Sequence, residues 1–223
     1  MIMNLTESLN QIRSSFQNQA INDPSLSLII QAINELKSTN IVDQSIKVGD
    51  IIPDFTLPNA FGQPVELQKL LASGPVVISF FRGSWCPFCN LELAALQQAL
   101  PAIKTLGASL IAISPQASHY TRSTVEKHEL RYEVLSDRHN HIAHQFGIVF
   151  QIPEYLRPEL QKIGYALPRA NGAQPFELPI PATFIVSQEG KVIYAFVDPD
   201  YTQRLDPIEI VTILRNIPLV SQS

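Results

Sequence analysis

Apolar residues recur at helical intervals near the start of the chain. Leu5, Leu9, Ile12 and Phe16 stand four, three and four apart, which is one face of an amphipathic helix. Asn22-Asp23-Pro24 breaks the run, and Leu28, Ile29, Ala32, Ile33 and Leu36 then repeat it. Pro24 is expected to stop the first helix and Ser25 to cap the second. The pattern predicts a helical N-terminal extension over residues 1–46, folded as a hairpin. Its apolar stripe needs cover, either from the rest of the chain or from a second copy in a homodimer.

From Val48 the texture becomes strand, turn and helix in alternation. Ile51–Leu57 carries Ile52, Phe55 and Leu57 around Pro53, which suits an edge or irregular strand. Asn59–Gln63 turns the chain back to Val65-Glu66-Leu67. Val76–Phe81, β-branched and aromatic throughout, predicts a strand buried on both faces. A helix follows from Pro87 to Leu106, with Leu91, Ala94, Ala95, Leu96 and Leu100 inward and Pro101 expected to kink or interrupt it. Ser109–Ser114 and Tyr132–Ser136 read as further strands, with helices at Thr121–His128 and around Ile142, Ala143 and Phe146, the latter closed by Gly147. This βαβ rhythm implies parallel strands with right-handed crossovers. The proline-rich stretch 151–180 reads as a long loop with one short helix at Glu154–Ile163. Thr183–Val186 and Val192–Phe196 form a hairpin, and a helix from Pro207 to Arg215 closes a domain spanning 47–216, ahead of a polar tail at 217–223.

Composition narrows the functional classes. Of 223 residues, 45% are hydrophobic and 16% charged, enough apolar surface for a core and too much for global disorder. Sixteen Lys and Arg against twenty Asp and Glu give a net charge of −4, with no basic run, so nucleic acid is not an expected partner. No apolar stretch approaches the roughly 20 residues a membrane span requires. Met1–Gln11 lacks a basic leader and a continuous apolar run, so the expected location is cytoplasmic.

The chemistry concentrates at Phe80-Phe81-Arg82-Gly83-Ser84-Trp85-Cys86-Pro87-Phe88-Cys89, where the best strand meets the helix after it. These are the chain's two cysteines, and three residues apart they close too small a loop to staple a fold. Pro87 favours the first helical position, which sets Cys86 at the positive end of the helix dipole. Arg82 and the free amides of the first turn add to the pull, so Cys86 is expected to ionise readily and Cys89, a turn further in, to remain an ordinary thiol. That asymmetry suits a nucleophile and a resolver, since Cys-x-x-Cys in a βαβ setting permits reversible closure. Two other readings use the same residues. Zinc would need partners from His128, His139, His141 and His144, but the nearest second half-site, His139 or His141 with His144, begins about fifty residues on without matching spacing. The cysteines could also be plain buried hydrophobes.

Trp85-Cys86-Pro87-Phe88-Cys89 resembles the active-site turn of the thioredoxin superfamily, with a Pro-Phe centre like that of glutaredoxins. Val48–Leu57 with Gly62 and Leu67, Ile113-Ser114-Pro115 and Val134–Asp137 resemble the peroxiredoxin branch that includes alkyl hydroperoxide reductases and thiol-specific antioxidants. The resemblance covers roughly residues 48–215. It implies a thioredoxin-like α/β fold, a central mixed sheet flanked by helices. It also implies a thiol peroxidase in which Cys86 attacks a peroxide, forms a sulfenic acid and is resolved by Cys89 to an internal disulfide. Thioredoxin, glutaredoxin or a small thiol would be the reductant, and no cofactor or metal is needed.

The departures are specific. Peroxiredoxins of this branch carry proline seven residues and threonine three residues before the attacking cysteine; here Ser79 and Gly83 stand there. Ser84 is the nearest hydroxyl, either a substitute or a turn residue. The arginine usually placed before the Thr183–Val186 strand is missing, and Ile180-Pro181-Ala182-Thr183 instead resembles the cis-proline segment that faces the cysteines in thioredoxins. Pro181 could equally just begin a strand. Arg82 and Arg204 are the available cations, with Arg204 expected to be solvated in its acidic loop. Trp85 is expected to shield the cysteines. A protein thiol–disulfide oxidoreductase and a redox-sensing interaction protein remain as alternative functions.

Overall fold

The protein is described by a computed structural model over residues 4–162 and 176–217. Helices α1 (Leu5–Ala20) and α2 (Pro24–Lys37) form the expected hairpin. Its joint differs from the sequence reading. The Asp23 carboxylate, not Ser25, caps α2, accepting from the Ser25 and Leu26 amides at 2.9 and 3.4 Å. A carboxylate ahead of a proline at the first helical position satisfies free amides and opposes the helix dipole at once. Pro24 therefore starts α2, while α1 has already ended at Ala20. The Ser25 hydroxyl is left to donate to Glu159 at 2.6 Å.

After the short α3 (Ile41–Gln44), β1 (Thr56–Pro58) and β2 (Pro64–Glu66) pair antiparallel. The Asn59 side chain holds their turn by accepting from the Phe61 and Gln63 amides at 2.9 and 3.0 Å. Following α4 (Leu67–Leu71) come β3 (Val76–Phe80), α5 (Pro87–Thr105), β4 (Ser109–Ser114), α6 (Ser118–Lys127), β5 (Glu133–Ser136) and α7 (His141–Gln145). The chain continues through β6 (Val149–Gln151), α8 (Arg157–Lys162), β7 (Glu177–Pro179), β8 (Ala182–Val186), β9 (Val192–Val197) and α9 (Pro207–Arg215). The region read as one long loop thus holds α8, preceded by a 3-10 turn at Glu154–Leu156, and β7, which pairs antiparallel with β6 at the loop's start. The Ile163 end of the expected helix falls outside the described residues.

The central sheet runs β5-β4-β3-β8-β9, parallel among β3, β4 and β5 and antiparallel at β8 and β9. Every residue of β3 is buried, as its unbroken apolar run requires of a central strand. Alternation divides that strand between two cores. Val77 meets Leu93, Leu96 and Ile103 of α5, together with α9, while Val76, Ile78 and Phe80 join Phe146 and Phe184 on the opposite face.

Helix α5 stays unbroken through Pro101, with the Thr105 hydroxyl donating to the Pro101 carbonyl at 2.9 Å. Its inner face runs along Cys89, Glu92, Leu93, Leu96 and Leu100; Leu91 and Ala94, expected inward, lie at the half-buried border. Helix α6 begins at Ser118, three residues before the sequence suggested. Among the described residues no helix is long and apolar enough to cross a membrane.

The hairpin belongs to this architecture through side chains as well as contacts. Leu5 and Leu9 are buried in the α5 core, and Ile29 and Ile33 pack on Leu156 and Leu160. Replacing Leu9 by Ala should cost about 2–5 kcal/mol, because a buried leucine leaves a cavity when truncated. Urea unfolding should show that loss in one cooperative transition; two separate transitions would mean that the hairpin folds independently of the sheet.

Candidate active site

Cys86 is the residue before the first turn of α5, extended at φ −88 and ψ 116, with Pro87 starting the helix and Cys89 one turn along the same face. Both thiols are free, and at 1% and 0% exposure both are buried. The turn before them is fixed by backbone partners. The Ser84 amide donates to Gln116 Oε1 at 3.0 Å, and the Ser84 carbonyl accepts from Asn90 Nδ2 at 2.9 Å. Gln116 is itself buried, its amide nitrogen donating to Thr124 Oγ1 at 3.0 Å.

Gly83 adopts a φ of +144, which favours glycine, and a Cβ there would stand 2.5 Å from Trp85 Nε1. The Trp85 indole therefore occupies the space that a side chain at this position would need. That is the physical reason why the threonine missing from position 83 is not accommodated. Pro181 is buried directly before β8, and the pairing of Ala182 with Phe80 brings it to the sheet end from which residues 81–86 depart.

Two guanidinium groups reach this buried turn. Arg82 packs its cation 3.8 Å above the Tyr201 ring and 4.7 Å from the Trp85 ring centre, contacts of about 2 kcal/mol or more when water is excluded. Arg204 contradicts the expectation of a solvated arginine, since its side chain is 1% exposed. Its Nε donates to Glu92 Oε2 at 2.6 Å and its Nη2 to Cys89 Sγ at 3.4 Å, while Nη1 donates to the Tyr201 and Gln203 carbonyls. Burying this cation is tolerable because its donors find a carboxylate, a sulfur and carbonyl oxygens.

The loop that delivers Arg204 is gripped by the N-terminal hairpin. Arg13 of α1 donates to Thr202 Oγ1, the Thr202 carbonyl and Gln203 Oε1 at 3.0–3.1 Å, and Lys37 of α2 pairs with Asp200 at 2.9 Å.

The two thiols diverge in the expected direction, but Cys89 departs from the ordinary thiol that the sequence predicts, because it is fully buried beside Cys86. Burial opposes ionisation of Cys86, but the hydrogen bond from the Cys89 thiol and the charges of Arg82 and Arg204 bring its pKa down to about 6. Burial and the neighbouring Cys86 sulfur push Cys89 well above the usual thiol range. Glu92 is also affected. Burial raises its carboxyl to about 7 against the pull of Arg204, whose own charge is secured, despite burial, by Glu92 and the two sulfurs. Three acids thus compete for two cations in a dry space.

The sequence reading missed Glu92, Gln116 and Tyr201. Glu92 alone left a signal, as a carboxylate three residues after Cys89 on an otherwise apolar helix face. Among the described residues no cluster of three His, Cys, Asp or Glu is arranged to hold a metal, and His144 instead pairs with Glu177 at 3.0 Å.

Two outcomes test this account. The pH midpoint of Cys86 alkylation by iodoacetamide should lie near 6 in the native protein. It should fall in Glu92→Gln, which frees Arg204 for the sulfurs, and rise in the Glu92→Gln/Arg204→Gln double variant; a common shift in both would refute the shared-cation arrangement. Separately, Gly83→Thr should destabilise the protein by about 1–3 kcal/mol, through backbone strain and the clash with Trp85. Urea titration with near-ultraviolet circular dichroism of the single tryptophan measures both effects.

Residues 48–195 match the AhpC/TSA family. A protein of Mycobacterium tuberculosis strain H37Rv named as a peroxiredoxin is 32% identical over 103 residues, covering 46% of this chain and 67% of its own length. Peroxiredoxin Bcp of Escherichia coli K12 is 28% identical over 103 residues, 46% of this chain and 65% of that protein. The chain thus spans about two thirds of these relatives. Among solved structures, peroxidoxin BcpB from Mycobacterium tuberculosis superposes with a TM-score of 0.60 at 24% identity, over 77% of this chain and 98% of that one. That likeness is one of fold, and the fold is thioredoxin-like.

Proposed function

The chain belongs to the AhpC/TSA family, and from that premise we propose that it is a thiol peroxidase with Cys86 as the attacking sulfur and Cys89 as the resolving one. The observation that carries the reading is the divergence of two adjacent buried thiols, one drawn down to about 6 by its neighbours and the other pushed up. A thiolate at neutral pH is the species that attacks an O–O bond.

In the first step the Cys86 thiolate attacks the terminal peroxide oxygen and the O–O bond breaks. Cys86 becomes a sulfenic acid, and the alkoxide or hydroxide leaves and takes up a proton. In the second, the Cys89 sulfur displaces the hydroxyl of that sulfenic acid. The S–S bond forms, and the Cys89 proton departs with the hydroxyl as water. A dithiol such as thioredoxin or glutaredoxin, or two equivalents of a small thiol, returns two electrons and two protons. Arg82 and Arg204 favour the thiolate, Trp85 covers the turn, and the exposed Pro87 marks the side from which the reductant approaches. All electrons pass through sulfur.

A second reading, thiol–disulfide exchange with protein substrates, draws on the Trp85-filled space at Gly83 and on Pro181 at the sheet end. Membership of the AhpC/TSA family favours the peroxidase, and the burial of Cys86 is compatible with a substrate as small as a hydroperoxide.

Stopped-flow oxidation followed by Trp85 fluorescence tests the assignment. Hydrogen peroxide or an organic hydroperoxide should oxidise the reduced protein at least about a hundredfold faster than a free thiol. Cys86→Ser should abolish the reaction, and Cys89→Ser should stop after one turnover with a sulfenic acid that dimedone captures. Oxidation at the free-thiol rate, with disulfide exchange intact, would favour the second reading.

A further inference from the structure

Beside the cysteine turn lies a cavity of about 240 Å³ that the proposed reaction does not use. Its walls are apolar: Ile33 and Leu36 from α2, and Ile152 and Leu156 from the segment ahead of α8. Its polar feature toward the cysteines is Arg82, with Tyr201 beside it. Arg82 is 5% exposed, it forms no ion pair with a carboxylate among the described residues, and its Nε has no hydrogen-bond partner. A desolvated guanidinium that lines an apolar space without a carboxylate partner is an incomplete anion site, because a buried cation carries a cost that an incoming carboxylate would remove. The one carboxylate lining the cavity, Glu35, is exposed and already accepts from the Tyr155 hydroxyl at 2.6 Å.

We propose that this cavity binds a small apolar monocarboxylate, with its hydrocarbon body between α2 and the 152–160 segment and its carboxylate on Arg82. Size fixes the class. The volume exceeds the roughly 150 Å³ of a cavity that takes benzene and falls below the roughly 300 Å³ at which drug-sized pockets begin. A single aromatic ring or a chain of about eight carbons fits within these bounds. Occupancy has a consequence for the cysteines, since Arg82 is one of the two cations that favour the Cys86 thiolate. An anion seated on Arg82 takes up part of that charge, so the bound ligand lowers the reactivity of Cys86. The binding stands apart from the peroxidase reading, whereas this effect rests on Cys86 being the reactive thiolate of that reading.

Octanoate is the probe and octanol its uncharged counterpart. Calorimetry on the reduced full-length protein should show octanoate binding at millimolar concentration or tighter. Iodoacetamide alkylation of Cys86 at about pH 5.5, where the rate follows the thiolate fraction, should slow roughly three- to tenfold with octanoate and stay unchanged with octanol. Ala32→Phe and Leu156→Phe, which fill the cavity from opposite walls, should abolish binding and slowing while leaving the ligand-free alkylation rate as it is. Two variants guard against one that fails to fold. Absence of heat and of slowing overturns the proposal, as does equal slowing by octanol or slowing that persists in both filled variants. Binding confined to the open cavity, with Cys86 no more reactive than a free thiol even without ligand, supports the site and counts against the thiolate reading alone.

Discussion

A guanidinium held out of water between a carboxylate and a sulfur is the constraint on which the rest of this structure turns. Arg204 meets Glu92 and Cys89 within hydrogen-bonding distance, and all three are buried. Removing Arg204 or Glu92 alone leaves its partner buried without a counter-charge, at about 3–5 kcal/mol, so the two positions depend on each other, and Cys89 is placed by the same guanidinium. The same group divides the two cysteines. Cys86 stands at the start of a helix within the field of two cations, and Cys89 shares its cation with Glu92. Stability and reactivity draw on one set of interactions, and a substitution made for either reason alters the other.

The sheet was legible in the sequence because a central strand leaves an unmistakable trace. Val76–Phe80 is apolar on both faces, and the amphipathic spacing of Leu5 to Leu36 marked a hairpin of helices. The cysteine turn was equally readable, since strand, Cys-Pro and helix lie in one stretch of chain. What remained hidden was whatever depended on distance along the chain. Arg204 sits among aspartates and reads as a surface residue, and its carboxylate partner lies 112 residues earlier. Local composition carries no record of such a pairing. The capping of α2 by Asp23 rather than Ser25 and the pairing of β7, inside an apparent loop, with β6 are smaller cases, settled by geometry that neighbouring residues constrain only weakly.

The absence of threonine at position 83 is a structural exchange rather than a simple loss. With glycine there, the indole of Trp85 closes over the turn and stacks against Arg82, which in turn stacks on Tyr201. Where the resemblance implies a hydroxyl beside the sulfur, this chain has a layered aromatic–cation–aromatic wall. This changes what surrounds the sulfur from a small polar cradle to a rigid, polarisable surface.

The grip of Arg13 and Lys37 on the loop at residues 200–203 gives the hairpin a significance beyond cover for an apolar stripe. The part of the chain that matches the family begins at residue 48, downstream of both side chains, yet the loop they hold sets Arg204 against the cysteines. The reactive centre is therefore not a portable cassette. Grafting the strand, the cysteine turn and its helix into another scaffold would carry over the sulfurs but leave behind the anchorage of their counter-charge. A change in the hairpin would therefore register at the cysteines, carried there by the loop at residues 200–203 and by Arg204.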